Sequence, residues 1–282
     1  MTGHRLRELM GNKNLPVIAP GVFDGLSARL VELAGFSAVY ASGGAIARSA
    51  GYPDIGLLDF GEVVDRVAKI VEATSLPVIA DADTGFGGSA NVQRTARLLA
   101  RLGVAAFHIE DQEFPKRCGA LAGKKLIPTE EMCRKVAIAR EAVASTGTLV
   151  IARTDAVDTE SFEQAMERVR AYHKAGADVL YLESLQSVEQ VERVARELPG
   201  PKLIDMFAGG ITPFVSPQRL GELGYQLMIV PNDLQRATIR TMQRVLEVIK
   251  RQGGTSEIMG DLATMAEREK IIRTDEFLSL DN

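Results

Sequence analysis

Short apolar runs alternate with longer amphipathic segments along most of the chain. At four junctions a helical pattern ends at a glycine and an apolar run of strand length follows, which is typical of a left-handed residue that closes a helix before a buried strand. These junctions lie at 34–42, 102–111, 175–184 and 223–231. Four further runs of the same character, at 17–25, 77–83, 149–156 and 202–210, bring the predicted strands to eight.

The segments between the predicted strands have the length and spacing of crossover helices that cover a parallel sheet. Examples are 60–73, 89–102, 128–145 and 160–175. Eight alternations in about 250 residues favour an α/β fold of the closed (β/α)8 type, the TIM barrel, over an open doubly wound sheet. The chain has no linker or composition break, so we predict one domain over residues 1–282, with extra helices in a C-terminal extension from about 255 to 282.

Composition and charge exclude several classes of protein. Charged residues make up 25% of the chain and are interspersed, with a net charge of −4, so we expect no nucleic-acid partner. The N-terminus lacks the apolar core of a secretory signal, and no run approaches the roughly 18 apolar residues of a membrane span. We therefore expect a cytoplasmic protein without a membrane partner. Two cysteines, Cys118 and Cys133, are too few for a disulfide scaffold and match no zinc pattern.

Polar side chains cluster at the carboxyl ends of the predicted strands, where (β/α)8 barrels carry their chemistry. Arg153 could be a salt-bridge partner inside the barrel or the planar fork that binds a substrate carboxylate, and the glutamates share this ambiguity. Tyr40 could be held by packing, and His108 fits a satisfied core histidine better than a catalytic one. The strand-end residues are Tyr40, Ser42, Gly43, Gly44, Asp81, Asp83, Glu110, Asp111, Arg153, Asp155, Glu183 and Asp205.

Asp81 and Asp83 lie two residues apart at the end of a buried strand, where unpaired carboxylates would be strongly desolvated. A hard divalent cation with oxygen ligands would compensate their charge, and magnesium held by one or two carboxylates and several waters is the simplest choice. The alternative is that one aspartate caps the next helix or pairs with an arginine.

The connection 112–128 is long for a barrel loop, and such loops are more often active-site lids than accidents. It contains Cys118 in the sequence KRCG, with glycines that permit movement. The neighbouring Lys116 and Arg117 would lower the pKa of the thiol, whereas a carboxylate such as Glu110, or closure over a dianionic substrate, would offset that effect. The alternative is an incidental cysteine in a surface loop.

Six motifs taken in order resemble the isocitrate lyase and phosphoenolpyruvate mutase superfamily over roughly residues 15–240. The KRCG loop resembles the carbon–carbon lyase branch, and the chain length resembles 2-methylisocitrate lyases and 2-alkylmalate-cleaving relatives. The motifs are YASGG at 40–44, DAD at 81–83 before TGFGG, HIEDQ at 108–112, KRCG at 116–119, IARTDA at 151–156 and Glu183.

The resemblance implies a magnesium enzyme, with manganese as an alternative, that acts on a small 2-hydroxy or 2-oxo acid. It also implies a homotetramer, a dimer of dimers in which the C-terminal helix is swapped between barrels. The metal ligands would be Asp81, Asp83 and Glu110. The catalytic residues would be Cys118 as acid, Tyr40 as candidate base, Arg153 and Lys116. The substrate would contact Ser42, Gly43, Gly44, Asp54, Arg117, Gly119, Arg153, Glu183, Asp205 and Arg236.

The implied reaction removes the C2 hydroxyl proton, breaks the C2–C3 bond and protonates the resulting carbanion from Cys118. Two residues depart from the branch, since Ala120 replaces its usual loop histidine and Asp205 its usual asparagine. We therefore expect a smaller or differently substituted substrate than methylisocitrate, such as an alkylmalate. Hydrolysis or decarboxylation of oxaloacetate and a phosphonopyruvate-type reaction are alternatives, and a non-catalytic 2-oxo acid binding protein is an alternative of another class.

Overall fold

The computed structural model describes residues 2–12, 14–119 and 121–281, and within them eight parallel strands close into a barrel in chain order. This confirms the predicted TIM barrel and excludes the doubly wound sheet, because β1 pairs with β8. The strands are β1 (Val17–Val22), β2 (Val39–Ala41), β3 (Val78–Asp81), β4 (Ala106–Glu110), β5 (Leu149–Thr154), β6 (Val179–Leu182), β7 (Lys202–Asp205) and β8 (Leu227–Val230).

Helices surround the barrel, and their ends carry local stop and start signals. Asp24 and Asp59 form capping boxes, while Gly103 and Gly224 end helices with positive φ, as their position before a strand predicts. The helices are α1 (Thr2–Met10), α2 (Gly25–Leu33), α3 (Gly43–Ser49), α4 (Phe60–Ala73), α5 (Ser89–Leu102), α6 (Thr129–Ala142), α7 (Ala156–Thr159), α8 (Phe162–Lys174), α9 (Val188–Glu197), α10 (Pro217–Leu223), α11 (Asp233–Gln252), α12 (Met265–Ile272) and α13 (Thr274–Leu278).

Alternation along the strands separates two apolar cores. Residues such as Ile79, Ile151 and Leu203 fill the barrel interior, where Leu6 of α1 joins them. The other strand face packs against the helices in a larger cluster. The next inward positions after this interior layer lie at the carboxyl ends of the strands, so the barrel places the strand-end polar residues at one mouth.

The C-terminal extension begins with a 3-10 segment at Ser256–Asp261 and continues with α12 and α13, in agreement with the one or two predicted extra helices. Helix α12 packs against α2 of the same chain. The extension leaves apolar side chains exposed, among them Met265, Phe277 and Leu278. No helix in the described residues is long and apolar enough to cross a membrane.

Candidate active site

A pocket opens at the carboxyl ends of the strands, and the period of two along each strand explains its lining. The residue two positions after an inward side chain also points inward. Asp81 lies two residues after Ile79, Arg153 two after Ile151 and Asp205 two after Leu203, so all three side chains point into the barrel mouth. The pocket brings together most of the residues that the sequence nominated. They are Tyr40, Ser42, Gly44, Asp54, Asp81, Glu110, Lys116, Arg117, Cys118, Gly119, Arg153, Glu183 and Asp205.

Tyr40, which lines the pocket, forms a buried polar pair with His108. The Tyr40 hydroxyl lies 2.8 Å from His108 Nε2 and donates to Asp81 Oδ2 at 3.3 Å. Burial lowers the pKa of His108 to about 4, so the ring is neutral. Burial opposes ionisation of Asp81, but the charges of Lys116 and Arg153 and a hydrogen bond from the Asp83 amide lower its pKa to about 2. His108 is thus a buried, hydrogen-bonded histidine that contacts the hydroxyl of Tyr40, the candidate base.

Asp83 differs from the sequence interpretation, since β3 ends at Asp81 and Asp83 lies beyond it with φ of 45°. Its Oδ1 lies 2.6 Å from Lys116 Nζ, which also contacts the carboxylate of Asp54. Burial raises the pKa of Asp83 to about 6, although Lys116 acts in the opposite direction. Neither aspartate of the doublet caps the next helix, because Gly88 occupies the N-cap of α5.

Arg153 is buried among carboxylates. It donates to both oxygens of Asp155 at 2.9 Å and lies 3.4 Å from Glu110 Oε2 and 3.5 Å from Glu183 Oε2. The Tyr181 hydroxyl donates to Glu183. Burial raises the pKa of Glu110 well above its usual range, against the effect of Arg153. The bidentate pair with Asp155 fixes the guanidinium plane and leaves its other edge toward the pocket.

Asp205 is buried at the end of β7 and accepts a hydrogen bond from Thr212 Oγ1 at 3.3 Å. Burial, with Glu183 nearby, raises the pKa of Asp205 well above its usual range. The protonated form of this carboxyl group can donate a hydrogen bond, as an asparagine amide does.

Residues 116–119 of the predicted loop line the pocket, with Cys118 among them. The Cys118 amide donates to the main-chain oxygen of Asp54 at 3.0 Å. Lys124 donates to the Gly119 carbonyl and pairs with Asp158 at 2.9 Å and Asp155 at 3.5 Å. The contacts of Cys118 and Lys124 join this part of the loop to the rest of the barrel.

Some nominated residues lie elsewhere. Arg236 is exposed and contacts Ala208 and Asp233, outside the pocket lining found in the described residues. Gly43 lies behind the pocket, and its amide donates to Asp81 Oδ2 at 3.2 Å. Ala120 lies outside the described residues.

The pocket also contains residues that sequence reasoning missed. Tyr181 lies in β6 and Phe207 just after β7, so their positions near predicted strand ends could have identified them. Arg48 instead comes from the last turn of α3, away from a strand end. A search restricted to the carboxyl ends of strands could not find it. The other missed lining residues are Ile229, Pro231 and Asn232.

The donor set suits a divalent metal held through water. The structure's described part holds no group of three or more His, Cys, Asp or Glu side chains placed to bind a metal directly. Asp81 and Glu110 nevertheless line the pocket, and Glu110 Oε1 is buried without a hydrogen-bond partner. Magnesium commonly keeps several waters and takes one or two carboxylates, so these residues fit the predicted ion.

Known proteins resemble this chain over most of its length. A family model described as phosphoenolpyruvate phosphomutase matches residues 6–250. The 2,3-dimethylmalate lyase of Eubacterium barkeri is 39% identical, over 94% of this chain and 92% of that protein. The 2-methylisocitrate lyase of Aeropyrum pernix is 42% identical, over 93% of this chain and 84% of that protein. A structure of oxaloacetate acetylhydrolase with 3,3-difluorooxalacetate superposes with a TM-score of 0.93 at 31% identity, covering 100% of this chain and 96% of that one.

Proposed function

Because the chain belongs to the phosphoenolpyruvate mutase and isocitrate lyase superfamily, we propose that it cleaves a 2-hydroxydicarboxylate of the 2-alkylmalate type to a 2-oxo acid and a second carboxylate. Its lyase relatives support a carbon–carbon lyase of this superfamily. The observation that carries the proposal is the closed loop, which puts Cys118 in the same pocket as Asp81, Glu110 and Arg153.

The chain's own residues divide the reaction into two proton transfers. Tyr40, held by His108 and Asp81, is placed to take the C2 hydroxyl proton while its own hydroxyl proton moves to His108 Nε2, 2.8 Å away. The oxygen then forms the carbonyl while the C2–C3 electrons move to C3, where the Cys118 thiol delivers its proton. Loop closure excludes water from both steps.

The metal and the cations hold the substrate in place. Lyases of this superfamily use a divalent metal, and we propose magnesium, or manganese, bound largely through water by Asp81, Asp83 and Glu110. It would supply a Lewis acid for the oxygens of the 2-oxo acid. Arg153 and Lys116 offer positive charge beside it, and Ser42 and Gly44 line the side where a substrate carboxylate would lie.

Asp205 supports a dicarboxylate rather than a tricarboxylate substrate. Asp205 and Glu183 form this wall of the pocket, and neither side chain can offer a positive charge to a substrate carboxylate. A third carboxylate placed there would lie close to Glu183 and be repelled. An alkyl group or a neutral oxygen would be accepted, which favours alkylmalates over methylisocitrate.

Hydrolysis of oxaloacetate is a second candidate, since the oxaloacetate acetylhydrolase structure superposes over the whole chain. Decarboxylation of oxaloacetate and a phosphonopyruvate-type reaction use a similar 2-oxo acid site. Acetate with oxalate, or carbon dioxide with pyruvate, would identify the two oxaloacetate reactions.

The test is release of a 2-oxo acid from a panel of 2-alkylmalates, 2,3-dimethylmalate and 2-methylisocitrate, with and without chelator. We expect turnover of a dicarboxylate, its loss on chelation, and a fall of at least about 100-fold in Cys118→Ser. Cys133→Ser, in α6, is the matched control and should stay active. Metal-independent turnover, or full activity in Cys118→Ser, would refute the mechanism.

We also propose a cytoplasmic homotetramer built from helix-swapped dimers. The groove beside α2 is lined by apolar residues such as Pro20, Leu30 and Phe36. Helix α11, which directly precedes the C-terminal extension, exposes the apolar side chains of Met242 and Leu246. Exposed apolar surface of this kind commonly marks an interface. Light scattering on the purified protein should give four times the 30.5 kDa chain mass, and a monomer would contradict the assembly.

A further inference from the structure

The cations that flank Cys118 in sequence are directed elsewhere in the fold. Lys116 Nζ lies between the carboxylates of Asp54 and Asp83. Arg117 Nη1 donates to the main-chain oxygen of Ala122, within the loop, at 2.7 Å. The sequence argument that these two cations lower the pKa of the thiol therefore does not describe their contacts in the closed loop.

A different cation lies at the sulfur. Arg48 Nη2 is 3.6 Å from Cys118 Sγ, within hydrogen-bond range for sulfur. Arg48 belongs to the last turn of α3, and long helical side chains point back toward the N-terminus of their own helix. Gly44 makes room for this path, since a Cβ there would lie 2.8 Å from Arg48 Nη1.

We propose that Arg48 is a positioning residue that holds the sulfur of Cys118 over the pocket and stabilises its thiolate. A guanidinium at this distance favours the ionised form of a thiol. The part that Arg48 plays in the final proton transfer to substrate depends on the proposed lyase function. In it the S–H bond breaks, the carbanion's electron pair forms the new C–H bond, and the sulfur keeps its electrons opposite Arg48 until solvent protonates it after the loop opens.

Besides Arg48, three charged residues from outside the loop lie near Cys118 or its neighbour Gly119. Asp54 accepts the Cys118 amide with its main-chain oxygen. Glu183 after β6 and Arg153 on β5 lie beside the neighbouring Gly119, where a Cβ would be 2.3 Å and 2.7 Å from their side chains. Because Arg48→Met leaves these three residues unchanged, the substitution isolates the effect of the Arg48 charge.

The test titrates the thiol in full-length protein carrying Cys133→Ser, through the rate of iodoacetamide alkylation against pH, with and without magnesium oxalate to favour the closed loop. Arg48→Met should raise the thiol pKa by about one unit and slow alkylation about tenfold below that pKa. Arg48→Lys should restore much of the shift. Arg117→Met, the control suggested by the sequence, should change it by less than about 0.3 unit.

Thermal melts confirm that each variant is folded, which the exposed position of Arg48 favours. An unchanged titration in Arg48→Met under both conditions, or an equal shift in Arg117→Met, would overturn the inference. The measurement needs no turnover, so it can fail while the lyase assay succeeds. Conversely, if Arg48→Met shifts the thiol pKa but the protein has no lyase activity, the role of Arg48 is supported and the proposed function is overturned.

Discussion

Replacing Lys124 with methionine should open the loop without unfolding the barrel. The Lys124 side chain is fully buried and joins the loop to the barrel: it donates to the Gly119 carbonyl in the loop and pairs with Asp155 and Asp158 at α7. Breaking a buried ion pair costs about 3–5 kcal/mol when the remaining charge is left uncompensated. Here Arg153 still neutralises Asp155, and Asp158, 24% exposed in its side chain, can be hydrated.

These compensations reduce the expected cost to about 2 kcal/mol against the closed loop. At 1.4 kcal/mol per factor of ten, the closed population and kcat/KM should fall roughly 30-fold. The assay is steady-state turnover of the best panel substrate together with hydrogen exchange of the Cys118 amide, which Asp54 protects in the closed loop. Lys125→Met, at an exposed neighbouring position, is the matched control. Unchanged exchange and turnover in Lys124→Met would refute the reasoning.

Two further substitutions test the pocket. Gly119→Ala should lower kcat/KM at least about 100-fold in the turnover assay, because its Cβ would lie 2.3 Å from Glu183 Oε1 and prevent closure; near-normal turnover would show that the active loop lies elsewhere. The usual pKa of Asp205 is 3.8 and burial raises it well above that in the folded state, so the wild type loses stability as pH rises above 3.8. The amide of Asp205→Asn cannot ionise, so the Tm of the variant minus that of the wild type should increase from pH 4 to pH 8. A difference in Tm that does not depend on pH would contradict the raised pKa of Asp205.

The barrel could be predicted from sequence because its signals are local and repeated. Each strand is a short apolar run, and Gly103 and Gly224 mark the helix ends by a conformation that other residues rarely adopt. Helices α4 and α5 begin and end at the predicted residues 60–73 and 89–102. The predicted end of β3 was less accurate. The turn after Asp81 gives Asp83 a left-handed conformation, which the pattern of apolar residues does not indicate.

The contents of the pocket were predictable only where they follow the alternation of strands. Asp81, Glu110 and Arg153 are separated by long stretches of sequence, yet each occupies an inward position at a strand end, so the fold alone brings them together. No such rule predicts the position of Arg48, because it reaches the thiol from the C-terminal end of a short helix.

Charge near a reactive group in sequence is therefore a weaker guide than charge near it in space. Lys116 is two residues from Cys118, but burial between two carboxylates fixes its ammonium group there, and those partners hold its pKa well above the usual range. A cation so placed balances the aspartates rather than the thiol. The loop covers the site with Lys116 and Lys124 paired to carboxylates. In our proposal the sulfur then meets Arg48 only when the loop is closed, so that closure and stabilisation of the thiolate occur together.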